Sequence, residues 1–206
     1  MSHKTIGKFV VPESVDSKAL LKAVDPDSSD TGNLIYISGG VATGKTLLLK
    51  ELIGLIGDNS PESEILFEDT RVVLDDFIAA LKNEEMPNFI SGFHQYNVIA
   101  LDNLEILSET KKPTTFEIFI HIIKRSLQNG CLIISSSTNT DFLKGIYCPA
   151  LISLDVNLDS LTESDVKAIE KQIQTNIGYF TDQEIKYKDF RELEGVLKTM
   201  KLEINH

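Results

Sequence analysis

A short apolar run, Leu34-Ile35-Tyr36-Ile37, stops against Gly39-Gly40, and a helical pattern begins directly after Gly44-Lys45-Thr46. The run reads as a buried strand. Leu47, Leu48, Leu49, Leu52, Ile53 and Ile56 carry the spacing of an amphipathic helix. Between them, Gly39-Gly40-Val41-Ala42-Thr43-Gly44-Lys45-Thr46 fits the pattern G-x-x-x-x-G-K-[ST], in the strand–turn–helix setting that a phosphate-binding loop requires. Glycines let successive backbone N–H groups curl around phosphate oxygens. The helix N-terminus adds unpaired donors and a partial positive charge. Lys45 supplies a point charge to the β and γ phosphates, and the Thr46 hydroxyl a ligand for Mg²⁺. The candidate nucleotide contacts are therefore Gly39, Gly40, Val41, Ala42, Thr43, Gly44, Lys45, Thr46 and Leu47, with ATP or ADP and Mg²⁺ as the expected ligands. The bland reading, a glycine-rich turn with an incidental Lys-Thr, leaves the flanking strand and helix unexplained.

The rest of the chain repeats the alternation. Ile65-Leu66-Phe67, Val98-Ile99-Ala100-Leu101, Cys131-Leu132-Ile133-Ile134 and Leu151-Ile152-Ser153-Leu154 read as strands. Val72 to Lys82 and Phe116 to Leu127 have helical spacing, the second closed by Asn129-Gly130. Such alternation predicts a parallel sheet with helices on both faces. After Asn157 the strands cease, and Leu161 to Ile177 and Phe190 to Leu202 both read as helices. The expected division is an α/β nucleotide-binding core over 1–157 and a small helical lid over 158–206. Residues 1–31 are polar and mixed, with a loop at Asp25-Pro26-Asp27-Ser28-Ser29-Asp30.

A phosphate-binding loop of this kind needs an acid near the metal, at the end of another buried strand. Val98-Ile99-Ala100-Leu101-Asp102 supplies Asp102 as the candidate Mg²⁺ partner, whose bland alternative is a cap on the following turn. The next position, where a water-activating carboxylate often stands, is Asn103. An amide orients a water but cannot take its proton. Glu105 lies two residues on and is a candidate substitute. Slow hydrolysis is the expectation.

Composition narrows the partners. Net charge is −11 and the chain has three arginines, Arg71, Arg125 and Arg191. Affinity for a nucleic-acid backbone comes mainly from Lys and Arg, so tight binding of duplex DNA by the chain alone is not expected. No apolar run reaches the roughly 18 residues of a membrane-spanning helix, and Met1 to Lys8 lacks the apolar stretch of a secretory signal. Cys131 and Cys148 each adjoin apolar residues, which favours buried thiols in a reducing cytosol over a disulfide. A cytoplasmic location is expected. His3, His94, His121 and His206 show no metal-ligand spacing. Met86, Met200 and the phenylalanines between 88 and 93 read as packing.

Several segments together resemble the ATPase domain of the bacterial replication initiator DnaA and its shorter AAA+ relatives, Hda-like regulators and helicase loaders among them. Phe9-Val10-Val11 stands at the entry segment. Asn33 to Leu49 is similar to the strand, loop and helix, and Ile99-Ala100-Leu101-Asp102-Asn103-Leu104 to the Walker B strand, which normally ends in two acids. Phe190-Arg191-Glu192-Leu193-Glu194-Gly195-Val196-Leu197 is the most specific match. It resembles the lid helix that carries the sensor 2 arginine. The resemblance implies a P-loop NTPase of AAA+ type, with Asp102, Asn103 and Arg191 as the catalytic positions. A surface salt bridge is the plain alternative for Arg191. Sensor 1 falls on Thr138 or Asn139. The resemblance also implies a replication protein (an initiator, a helicase or a clamp) as partner, and an oligomer that responds to nucleotide.

Three departures qualify the expectation. Asn103 replaces an acid. Cys148 to Leu154, where the family carries an arginine finger, contains no Arg or Lys. The residues end at His206, without the helix-turn-helix that reads duplex DNA, so a truncated relative working through a protein partner is expected. The rival readings are a small-molecule kinase or nucleotidase, which would want more basic residues in the lid than Arg191 and scattered lysines, and a degenerate fold without nucleotide, against which Gly44-Lys45-Thr46 speaks.

Overall fold

The computed structural model describes residues 4–25, 34–109, 113–139, 154–159, 161–181, 185–186 and 188–204. A hairpin of β1 (Thr5–Ile6) and β2 (Phe9–Val10) leads into α1 (Ser17–Ala23). Then follow β3 (Leu34–Ser38), α2 (Lys45–Asn59), β4 (Ile65–Asp69), α3 (Thr70–Lys82), α4 (Met86–Phe93) and β5 (Val98–Asp102). A 3₁₀ turn (Leu104–Glu109), α5 (Pro113–Gln128), β6 (Leu132–Ser137), β7 (Leu154–Asn157), α6 (Glu163–Ile177) and α7 (Phe190–Ile204) complete the order.

Strands β3 to β7 form one sheet in the order β4-β5-β6-β3-β7, and every pairing is parallel. Parallel strands require helical crossovers that cover both faces. Side chains along each strand alternate between those faces. Leu34 and Tyr36 join Ile99, Leu101 and Ile133 in one cluster, under α3, α4 and α5. Its aromatic centre includes Phe77 and Phe119, packed edge-on with centroids 5.5 Å apart. Ile35 and Ile37 join Val98, Ala100 and Ile134 on the other face, with Leu20 of α1, Leu48, Leu49 and Leu52 of α2, and Phe9. This two-faced α/β sheet is the one that the alternation of strands and helices predicts.

The two C-terminal helices pack against each other, and α6 also meets β2. Leu193 and Leu197 of α7 are buried. Helix α6 starts in a reciprocal cap: the Thr162 hydroxyl accepts from Asp165 N, and the Asp165 carboxylate accepts from Thr162 N. Fully buried Asp165 also accepts from the Glu13 backbone N–H at 3.1 Å, joining the N-terminal segment to α6.

Two helices depart from the sequence reading. Helix α1 lies within residues read as polar and mixed, and Asp16 caps it by accepting from Lys18 N and Ala19 N. Helix α4 spans Pro87 and Gly92, whose weak intrinsic propensity hides it; its Pro stands in the first turn, where no N–H is needed. Strand β7 begins at Leu154, the last residue of the expected fifth strand, and 151–153 lie outside the described residues. Among the described residues, no helix is long and apolar enough to cross a membrane.

Candidate nucleotide-binding site

In an all-parallel sheet the carboxyl ends of the strands share one edge, and the loops there form the crevice where ligands bind. Ser38, Asp69, Asp102, Ser137 and Asn157 end the five strands on that edge. From Ser38 the chain turns through Gly39 to Gly44 into α2. Gly44 is the N-cap residue with φ of 94°, a conformation that disfavours any Cβ, and an added Cβ would stand 3.0 Å from the Phe9 ring. Ala42 also takes positive φ, 63°. For a residue with a Cβ this stores roughly 1–2 kcal/mol of strain, which the rest of the loop must hold.

Lys45 is 7% exposed, and its ammonium donates to the Gly39 carbonyl at 2.8 Å and the Gly40 carbonyl at 2.6 Å. Burial pulls its pKa below the usual lysine value. Glu105, Asp102 and Asp159 oppose that shift, and Arg191 adds to it. The Gly40 N–H donates to the Asp159 carboxylate. Thr46 Oγ1 donates to Asp102 Oδ2 at 2.7 Å. The other oxygen of Asp102 accepts from Ser136 Oγ and from Asn103 N. Thr46 and Asp102 thus present two hard oxygen donors side by side. That set fits Mg²⁺, which takes one or two protein ligands and completes its shell from phosphate and water.

Asn103 sits in the left-handed region, φ 58°, which asparagine tolerates better than most residues. Its side-chain amide donates to Asp69 Oδ2 at 2.6 Å, on the carboxylate that caps α3. Glu105, in the 3₁₀ turn, accepts from Thr138 N at 3.2 Å and from Thr138 Oγ1 at 2.9 Å.

These groups border one cavity of about 650 Å³, lined along its loop side by Val41 to Leu47 and closed from α7 by Arg191. Asn103, Glu105 and Thr138 line it as well; Gly39, Gly40 and Asn139 do not. Gly39 and Gly40 instead anchor Lys45 through their carbonyls. The Asn139 carbonyl accepts the Tyr36 hydroxyl, and its N–H donates to Ser137 Oγ. Of the two sensor 1 candidates, the structure brings only Thr138 to the cavity. Asp102 does not line the cavity and is tied to it through the Thr46 hydroxyl. Cys148 to Ser153, most of the region searched for an arginine finger, lies outside the described residues.

Sequence reasoning missed the apolar wall. Phe9 and Val10 from the hairpin face the cavity with Ile169 and Ile173 of α6. Such a wall suits a flat heteroaromatic base. The only available signal is the four-residue spacing of Ile169 and Ile173, which places them on one side of a helix.

A glycine-rich loop leaving β3, an acid at the tip of β5 two places away in the sheet, and an arginine from a C-terminal helix define an ATPase domain of the AAA+ type. The chain belongs to the bacterial DnaA ATPase domain family, whose model matches residues 4–146. It is 26% identical over 209 residues to the chromosomal replication initiator protein DnaA of Thermodesulfovibrio yellowstonii, covering 94% of this chain and 47% of that protein. The chain therefore spans about half the length of that relative. Domain III of the Thermotoga maritima DnaA superposes with a TM-score of 0.77 at 18% identity, over 100% of this chain and 90% of that one. DnaA from Aquifex aeolicus, solved with AMPPCP bound, gives 0.74 at 21% identity, over 97% of this chain and 65% of that one.

Proposed function

We propose that the chain binds ATP and ADP with Mg²⁺ and acts in or on the initiation of DNA replication through a protein partner, hydrolysing ATP slowly by itself. The observation that carries this reading is the Thr46–Asp102 contact beside the Lys45-bearing loop. Thr46 and Asp102 would hold Mg²⁺, which supplies charge neutralisation at the phosphates. Residues 158–206 act as the lid, and Arg191 reports from it on the γ-phosphate. The AMPPCP held by the Aquifex aeolicus relative supports an ATP-like ligand.

The partner is an initiator, a helicase or a clamp. Cys148 to Leu154 offers no cation, so an arginine supplied by the partner would complete the site; such a residue contributes about 10³–10⁵ in rate where it is used. The net charge of −11 disfavours tight contact with duplex DNA by the chain alone. The test is an ATPase assay with each candidate replication protein added, beside a gel-shift titration at physiological salt. Stimulation by one of them is the expected result. Tight sequence-specific duplex binding would instead assign an initiator role, and stimulation by none would favour a small-molecule kinase or nucleotidase.

A further inference from the structure

We infer that Glu105 is the carboxylate that activates the attacking water for ATP hydrolysis, with Thr138 as the residue that positions it. The inference rests on the ATP-binding reading above and names the group that performs the chemistry there.

Most acids near the site are engaged by other groups. Asp102 accepts from Thr46, Ser136 and the Asn103 backbone, and faces the proposed metal. Asn103 carries no carboxylate, and its amide is turned to Asp69. Among the described residues, only two carboxylates line the cavity, Glu105 and Glu194. Glu194 is paired with Lys198 one helical turn along α7. Glu105 remains. It follows Asp102 closely in the chain, on the turn that leaves β5, and lines the same cavity as Lys45, Thr46 and Arg191. Two donors from Thr138 hold the carboxylate in place, one to each oxygen. A carboxylate that accepts one bond on each oxygen keeps lone pairs free for a water.

In the step assigned to it, Glu105 takes a proton from a water as the water oxygen bonds to the γ-phosphorus. The bond from that phosphorus to the β,γ-bridging oxygen breaks, and its electron pair leaves with ADP. The proton passes from Glu105 to the released phosphate or to solvent.

The test compares wild type with Glu105→Gln, Glu105→Asp and Thr138→Val in single-turnover hydrolysis, with ATP affinity titrated separately for each. Glutamine keeps one acceptor oxygen, for the Thr138 N–H, and its amide N–H can donate to the Thr138 hydroxyl in place of the second bond, but it cannot take a proton. Glu105→Gln should slow hydrolysis about 100-fold or more, the usual contribution of a general base, with ATP affinity unchanged. Glu105→Asp should recover part of that loss. Thr138→Val should lower the rate about tenfold without altering affinity, the signature of an interaction realised only in the transition state. Hydrolysis by Glu105→Gln within about twofold of wild type overturns the assignment, as does a wild-type rate equal to that without protein. Failure of the underlying reading shows differently: the wild type itself would give no binding signal with ATP.

Discussion

The Asn103 amide donates to Asp69 Oδ2 at 2.6 Å, tying the tip of β5 to the cap of α3. The residue that departs from the family's pair of acids is therefore built into the frame of the site. Restoring the acid by Asn103→Asp would set two carboxylates face to face and remove a donor. Stability should fall by about 1–2 kcal/mol in urea unfolding, through one lost hydrogen bond and like-charge repulsion. Turnover should rise only modestly, because an added arginine is still needed. A gain of about 10³ in rate would show that Asn103 alone limits hydrolysis.

Cys131 is buried directly before β6, and desolvation pushes its thiol up to about 12 from an ordinary 9.0. The thiol is therefore neutral and shielded at pH 8, and thiolate chemistry is closed to it. In a Cys148→Ser background the native protein should not react with a disulfide reagent, whereas the urea-unfolded chain should react fully. The folded pKa lies above the unfolded one, so this group's contribution is intact below about pH 9 and is lost as pH rises toward 12. Rapid labelling of the native protein at pH 8 would contradict the buried placement.

Asp165 links two distant parts of the chain, accepting from Glu13 and closing the Thr162 cap of α6. Asp165→Ala removes the carboxylate half of the reciprocal cap and leaves the part-buried Glu13 and Thr162 N–H groups without their acceptor, at a cost of about 1–2 kcal/mol. Amide exchange in α6 should rise more than in β3 or β5. Equal change in all three elements would mean that α6 is not separately anchored by this residue.

The legible part of the fold follows from local rules. Leu34 to Ile37 and Val98 to Leu101 are continuous apolar runs because strands covered on both faces need apolar residues on both. Their ends at Ser38 and Asp102 delivered the loop and the acid by position alone. What stayed hidden depends on tertiary pairing. Nothing local to Asn103 points to Asp69, since the contact exists only because β4 lies beside β5. Thr138 and Asn139 are adjacent polar residues, and only the orientation at the end of β6 separates the one facing the cavity from the one under Tyr36. Ile169 and Ile173 look like any apolar pair of a helix until α6 is folded against β2.

The loop between β3 and α2 is proposed to hold a nucleotide. Its charge is Lys45, buried and poised on the Gly39 and Gly40 carbonyls. Calorimetric titration of the purified protein with ATP in the presence of Mg²⁺ decides the matter, with Lys45→Ala as the control. The wild type should show saturable one-site binding, weakened by about 100-fold or more in Lys45→Ala, because a charge-assisted contact to phosphate is lost. A flat titration for the wild type, or equal binding by Lys45→Ala, would contradict that proposal.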